Sequence, residues 1–304
     1  MPLQFRDDLV ALFPGQGSLS QGVGAPWRSS PHWSVVEDIA DITGVNVPAL
    51  LLESPLDELI RTDRAQLATF ALSMVGWHDL IAKGPLPRYL LGHSLGEFSA
   101  LVASGLLDLT QGATLIATRG SAMAEAASAI PGSMTAVMGT DGSRSGLETI
   151  PGVWIANVNG TGQIVLSGTP EGLALLAEQH RELGWKRATP LNVGGAFHSP
   201  LMASAQEALD DALASVTWGT TQHQLIANVD GQLHNDASSW AALLSRQLTS
   251  PVEVLAATLA LPDTVTTTIE MPPGSVLTGL TKRIRPFTTQ LSPSSAEEMK
   301  EITL

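Results

Sequence analysis

Apolar residues in this chain occur in two rhythms that alternate along its length: short unbroken runs, and longer stretches with a three-to-four-residue beat. Leu9–Phe13 is the first short run, and it opens directly into Pro14-Gly15-Gln16-Gly17-Ser18. An unbroken apolar run bounded by such residues predicts a strand buried on both faces. Pro31–Ile42 and Arg64–Lys83 carry helical spacing, and Gly84-Pro85 stops the second. Ser54, Pro55 and Asp57 predict a helix start, with a hydroxyl cap, a proline in the first turn and an acid behind it. Tyr89–Leu91 is a second short strand, followed at once by Gly92-His93-Ser94-Leu95-Gly96. From Leu95 onward Phe98, Leu101, Val102, Leu106 and Leu107 recur at helical spacing, and Thr110–Ala127 predicts a further helix.

The pattern then changes. Ser133–Gly139, Val153–Asn157 and Gln163–Ser167 are strand-like runs separated by Gly, Pro, Asp and Thr. Glu171–Leu183 predicts a helix and Arg187–Val193 another strand. Residues 129–195 therefore read as a small α/β insert in a larger body made of 1–128 and 196–304. Beyond His198 the first pattern returns. Helices are predicted over Pro200–Leu213, Trp240–Leu248 and Pro251–Leu261, and strands over Leu225–Val229 and Val265–Glu270. From about Leu291 the chain is polar and is expected to be loose.

Composition narrows the function classes. Hydrophobic residues make up 44% of the 304 residues and charged residues 15%, so the chain folds around a substantial core. There is no Cys, which excludes disulfides, a thiol nucleophile and thiolate metal sites. No apolar run is long enough to span a bilayer, and the N-terminal stretch is a poor signal peptide, so a cytoplasmic location is expected. A formal net charge of −13 argues against nucleic acid and anionic membranes as partners.

The strand–Gly-x-Ser-x-Gly–helix context points to nucleophilic chemistry. A serine hydroxyl attacks only when it is exposed, placed beside a base and close to donors for the developing oxyanion. A sharp strand-to-helix turn supplies that exposure for Ser94, and the N–H of Leu95 falls at a helix N-terminus. Without its flanking elements the five-residue pattern would be an ordinary helix-capping turn in a chain with 28 Gly. Of seven His, His198 stands at a strand–helix junction within Gly194-Gly195-Ala196-Phe197-His198-Ser199-Pro200 and is the candidate base. His93 adjoins the serine but points elsewhere on the turn, and is read as structural support.

Six ordered blocks resemble malonyl-CoA:acyl carrier protein transacylases and the acyltransferase domains of polyketide synthases. They are Phe13-Pro14-Gly15-Gln16-Gly17-Ser18, Gly92-His93-Ser94-Leu95-Gly96-Glu97, Arg119-Gly120, Phe197-His198-Ser199, Arg246-Gln247-Leu248 and Gly279-Leu280-Thr281-Lys282-Arg283-Ile284. The resemblance implies an α/β fold: a large α/β-hydrolase-like subdomain with a small ferredoxin-like subdomain inserted in it. It implies Ser94 as the acylated nucleophile, His198 as base and then acid, and a backbone carbonyl near Gln247 orienting the imidazole. It implies an oxyanion hole from the N–H groups of Gln16 and Leu95, Asn157, Asn159, Gly162 and Gln163 bordering the cleft, and Gln247 and Phe197 among the cleft residues that set substrate selectivity. Arg119 would bind the free carboxylate of the acyl group, since a planar guanidinium grips a carboxylate through two parallel hydrogen bonds. As an ordinary helix residue it would instead pair with Glu97 or Glu125.

Ala196-Phe197-His198 resembles the malonyl-selective form, in which a phenyl ring fills the space that an α-methyl needs. The family's usual residue before that Ala is His, where this chain has Gly195. The first block has Leu19 where Gln is usual, and Met271-Pro272-Pro273-Gly274 stands where Gly-Pro-Gly is common. The expected activity is transfer of a malonyl-type group from coenzyme A to the phosphopantetheine thiol of an acyl carrier protein. No cofactor or metal is expected to be bound, since coenzyme A and phosphopantetheine come and go as substrates. The chain carries no carrier or ketosynthase domain, so it is expected to act in trans, as a monomer, in fatty acid or polyketide synthesis. An acidic enzyme meeting a carrier that is usually acidic needs a local basic patch. Lys282, Arg283 and Arg285 are its candidates, with Lys186 and Arg187 next. The alternative is a proofreading hydrolase of the same fold, which would share the serine and imidazole but has no use for Arg119. A catalytically silent docking subunit has no use for any of the three.

Overall fold

The structure is a computed structural model that describes residues 4–139 and 146–304; positions 1–3 of the larger body and 140–145 of the insert lie outside it. The described residues form ten strands: β1 (Phe5–Phe13), β2 (Leu86–Gly92), β3 (Ser133–Gly139), β4 (Val153–Gly160), β5 (Gln163–Gly168), β6 (Trp185–Pro190), β7 (Gln224–Ile226), β8 (Leu233–His234), β9 (Thr267–Glu270) and β10 (Thr289–Leu291). Six of them form one sheet in the order β10-β9-β1-β2-β7-β8, parallel except for the β7–β8 hairpin. The unbroken run Leu9–Phe13 lies at its centre and is fully buried, because helices cover both faces of a parallel sheet. Helix Thr62–Ile81, with 16 buried residues, packs on helix Leu109–Ala129 and on helix Leu95–Ser104. A separate apolar cluster on the other face joins Val10, Leu12, Leu91 and Ile226 to Val254, Leu261, Leu277 and Leu280.

The other four strands form an antiparallel sheet in the order β4-β5-β3-β6, made wholly from residues 133–190. In chain order this is 2-3-1-4, the ferredoxin-like arrangement. Helix Pro170–Gln179 makes one crossover, and a single 3₁₀ turn, Leu147–Thr149, lies in the other among the described residues. Val137, Val153, Ile164, Leu166, Leu176 and Trp185 give this sheet its own core. Met134, Ala136 and Val165 project from the opposite face into the main core. The molecule is thus a large α/β-hydrolase-like body carrying a smaller ferredoxin-like one.

Several sequence expectations need correction. The run Arg187–Val193 is strand only as Trp185–Pro190. The start expected at Ser54 yields one helical turn, Leu56–Leu59, with Pro55 in the cap position and no side-chain cap. The tail is not loose: β10 extends the parallel sheet, and helix Ala296–Glu301 buries Ala296 and Met299 against helix Thr62–Ile81. Two apolar residues one turn apart anchor it, and the polar composition around them concealed that stripe.

Candidate active site

The site forms where neighbouring parallel strands end. Phe13, the last residue of β1, is in register with Gly92, the last of β2, so the two glycine-rich loops that follow lie side by side. Gly92 and Gly96 allow this closeness. A Cβ on Gly92 would stand 2.1 Å from the Gly96 carbonyl carbon, and one on Gly96 would stand 2.0 Å from the Phe13 carbonyl oxygen. Between them Ser94 adopts φ 52° and ψ −109°, a strained turn that lifts its hydroxyl off the sheet edge. Asn228, just past β7 on the far side of β2, holds the turn. Its Oδ1 accepts from Ser94 N at 2.6 Å and its Nδ2 donates to Gly92 O at 2.7 Å. The expected strand Leu225–Val229 included Asn228, but its role required knowing that β7 pairs with β2.

His198 also has a left-handed backbone, φ 56°, and is 4% exposed. Its Nδ1 lies 2.8 Å from the Gln247 carbonyl oxygen and its Nε2 lies 2.8 Å from Ser94 Oγ. A carbonyl can only accept, so the proton sits on Nδ1 and Nε2 is left to accept from the serine hydroxyl. Burial and the nearby Arg119 charge push His198 down to about 3, so the imidazole is neutral at physiological pH. His93 is likewise neutral, at about 4 through burial, and its Nε2 meets Asn157 Nδ2 at 3.3 Å. A Cβ on Gly15 would stand 3.1 Å from His93 Nδ1, so glycine there admits the ring. His93 thus braces the two loops, as its position on the turn predicts.

Arg119 is 1% exposed and reaches the same hydroxyl, its Nη2 donating to Ser94 Oγ at 3.0 Å. Nη1 donates to Gln66 Oε1 at 2.6 Å and Nη2 also to Gln247 Oε1 at 2.8 Å. Its buried Nε has no acceptor among the described residues. Burial lowers Arg119 to about 9, which still leaves it charged near neutrality. It bonds directly to neither Glu97 nor Glu125. Glu97 is linked to it through the Gln247 side chain, whose Nε2 donates to Glu97 Oε2 and, at 3.0 Å, to Ser94 O. Gln66 was missed in the sequence, and Gln247, expected to border the cleft, does not line the cavity: it is fully buried and its side chain bonds to Arg119 instead. Neither residue type signals chemistry until the helices around Arg119 are packed.

A cavity of about 340 Å³ opens over Ser94. Gln16, Leu95, Arg119, His198, Asn157, Asn159 and Gln163 line its polar part. Met123, Met134, Val165, Leu191, Val193 and Phe197 make the remainder apolar. Leu95 is the first residue of its helix, where N–H groups have no intrahelical acceptor. Phe197 is 4% exposed, and a Cβ on Gly195 would meet Ala127 Cβ at 2.6 Å and the Phe197 ring at 3.1 Å. Gly195 is therefore what this packing of the phenyl ring requires. Gln163, at the mouth, accepts from Arg283 Nη1 at 2.8 Å and also lines an outer groove that includes Gly162, Met138 and Leu259. Lys282, Arg283, Lys186 and Arg187 are exposed.

Arg285 does not belong with those cations. It donates to the carbonyls of Leu261, Pro262 and Val265 and serves as a structural tie. Among the described residues no group of three or more His, Cys, Asp or Glu is placed to hold a metal, and no helix is long and apolar enough to cross a membrane.

A strained serine, an imidazole and a buried guanidinium meeting between an α/β-hydrolase-like body and a ferredoxin-like one define a class, the nucleophilic serine enzymes of α/β type. Within it, the chain belongs to the acyl transferase family: the family model described as "Acyl transferase domain" matches residues 10–303. It is 36% identical to the malonyl CoA-acyl carrier protein transacylase of Bacillus subtilis, over 96% of this chain and 95% of that one. It is 33% identical to the Salmonella typhimurium enzyme of the same name, over 90% and 91%. The crystal structure of the Xanthomonas oryzae malonyl-CoA:acyl carrier protein transacylase superposes with a TM-score of 0.91 at 33% identity, covering 98% of each chain. A malonyl-transacylase solved with a holo type II polyketide synthase acyl-carrier protein superposes at 0.89 and 31% identity, covering 96% of this chain and 98% of that one. This chain is an acyltransferase.

Proposed function

We propose that the protein transfers a malonyl group from coenzyme A to the phosphopantetheine thiol of an acyl carrier protein through an acyl-Ser94 intermediate. The observation that carries this reading is that Ser94 Oγ lies 2.8 Å from His198 Nε2 and 3.0 Å from Arg119 Nη2 at once. One neighbour can take the serine proton, and the other can hold a carboxylate beside the reacting carbon. The alternative, a proofreading hydrolase, accounts for the first neighbour but leaves a fully buried guanidinium without a purpose. The similar proteins are transacylases by name.

The cycle follows from the geometry. Ser94 Oγ attacks the thioester carbon as its proton passes to His198 Nε2. The backbone N–H groups of Leu95 and Gln16 donate hydrogen bonds to the tetrahedral oxyanion. On collapse the C–S bond breaks and Nε2–H protonates the departing thiolate. The carrier thiol then runs the same steps in reverse. A carboxylate docked on Arg119 also offsets the positive charge that depresses His198, so the base strengthens when a dicarboxylic acyl group is in place. Phe197 shapes the apolar wall facing the acyl group, and a close packed ring there favours malonyl over an α-methylated group. One methyl is worth about 1–3 kcal/mol in such a pocket. Arg283 stands at the mouth beside Gln163, with Lys282 exposed next to it in sequence, and an acidic carrier would dock there. The protein is proposed to be monomeric and cytoplasmic, and to need no bound cofactor.

Intact-protein mass spectrometry after incubation with a panel of acyl-CoAs tests the reading. Malonyl-CoA should add one malonyl group, retained in the absence of carrier, passed on when holo carrier is added and absent from Ser94→Ala. Release of free malonate with no transfer to carrier would overturn it.

A further inference from the structure

Glu97 is a buried carboxylate, 1% exposed, that the cycle above does not use. It lies in the first turn of helix Leu95–Ser104, three residues beyond the nucleophile. Both of its oxygens accept hydrogen bonds, Oε1 from Asn228 N at 2.7 Å and Oε2 from Gln247 Nε2. An ionised carboxylate can only accept, so it holds the Gln247 amide in one direction. The NH₂ group turns toward Glu97 and Ser94 O, and Oε1 turns toward Arg119 Nη2.

We propose that Glu97 is a positioning residue for the acyl-binding arginine: by fixing the direction of the Gln247 amide it places the Arg119 guanidinium, and so sustains selection for a carboxylate-bearing acyl group. This deepens the reading of Arg119 given above and rests on it. A protonated Glu97 would set its O–H against the Gln247 NH₂. Gln247 would have to turn its amide over, placing its NH₂ against Arg119 Nη2, donor to donor, and leaving Ser94 O without that donor. The Gln247 backbone carbonyl, which holds His198, is indifferent to that turn. The effect therefore falls on binding of the acyl carboxylate and not on the base.

Titration supports the geometry. Burial raises Glu97 to about 7; the charged groups facing it are Arg119, which lowers it, and Asp230, which raises it. His198 at about 3, His93 at about 4 and Arg119 at about 9 change charge well away from neutrality. Near pH 7 only Glu97 among these four switches, and the active direction is the ionised one.

The test is kcat/KM for malonyl-CoA and acetyl-CoA with holo carrier, for the wild type and Glu97→Gln, from about pH 5.5 to about pH 8.5. Thermal melts accompany both proteins, and intact mass reports acylation in the same samples. In the wild type, malonyl transfer should fall relative to acetyl transfer as the pH drops through about 7. Glu97→Gln always opposes a donor to one of its two donor partners. It should lower the malonyl-to-acetyl ratio about tenfold, chiefly through KM, with no remaining pH dependence of that ratio in this range. A variant that keeps the wild-type ratio and its pH profile overturns the proposal, as does one that lowers both substrates equally. If the variant does not fold, a pH-independent wild-type ratio overturns it alone. Wild type that never forms malonyl-Ser94 at any pH would instead overturn the malonyl reading.

Discussion

Arg119→Ala separates carboxylate binding from the rest of the chemistry. In the structure the guanidinium touches Ser94 Oγ, Gln66 and Gln247, and keeps a buried Nε–H without an acceptor among the described residues. Two charge-assisted hydrogen bonds to an acyl carboxylate, at about 1.5–3 kcal/mol each, come to about 3–6 kcal/mol. At about 1.4 kcal/mol per decade, kcat/KM for malonyl-CoA should fall about 10²–10⁴-fold. Acetyl-CoA loses no such contact, and removing the positive charge relieves the depression of His198. Acetyl transfer should therefore hold or rise. The fold should survive. Gln66 Oε1 and Gln247 Oε1 lose a donor at about 1–3 kcal/mol each, but the desolvation cost of a buried charge disappears as well. The assay is steady-state transfer to holo carrier from the two acyl-CoAs side by side, with a melting curve for each protein. An equal loss for both substrates in a folded variant would refute the argument, because Arg119 would then serve the serine and not the acyl group.

Other outcomes follow from the same geometry. His198→Ala removes the imidazole placed to take the Ser94 proton and should slow acylation about 10²–10⁴-fold in single-turnover mass measurements. Gly195→Ala drives a Cβ to 2.6 Å from Ala127 Cβ and should cost about 1–3 kcal/mol, read as a lower melting temperature, while shifting the Phe197 ring and the malonyl-to-methylmalonyl ratio. Charge removal at Lys282 and Arg283 should raise KM for the carrier while sparing self-acylation by malonyl-CoA; equal loss in both half-reactions would contradict a docking role. Acid should destabilise the fold through the histidines. Burial holds His198 and His93 down at about 3 and about 4 when folded against the ordinary 6.5, so below 6.5 the unfolded chain binds more protons and stability falls with pH. His198→Gln should flatten that fall in melting temperature, whereas Glu97, raised when folded, works in the opposite sense between 4.5 and about 7.

The local parts of this protein were legible along the chain. An unbroken Leu-Val-Ala-Leu-Phe run needs no partner to declare a doubly buried strand, and a glycine-flanked serine between a strand and a helix declares an exposed hydroxyl. The break in rhythm was visible because short strand-like runs separated by Gly, Pro, Asp and Thr replace buried runs followed by long helices. The tail misled because two buried residues, Ala296 and Met299, decide its packing amid polar neighbours. Arg285 misled because charge is visible in a sequence but the carbonyls that claim it are not.

Composition and period along the chain determined which segments become strands, turns and helices, and which hydroxyl, imidazole and guanidinium could carry chemistry. Tertiary structure alone decided that Asn228 clamps the elbow, that Gln66 and Gln247 hold the guanidinium, and that Glu97 reaches Arg119 only through an amide. Those contacts span from 53 to 150 residues of sequence. The physical reason is directional. Burial follows from side-chain chemistry read along the chain, whereas a hydrogen bond needs a donor and an acceptor placed to within a few tenths of an ångström, and only the packed sheet and helices set that distance.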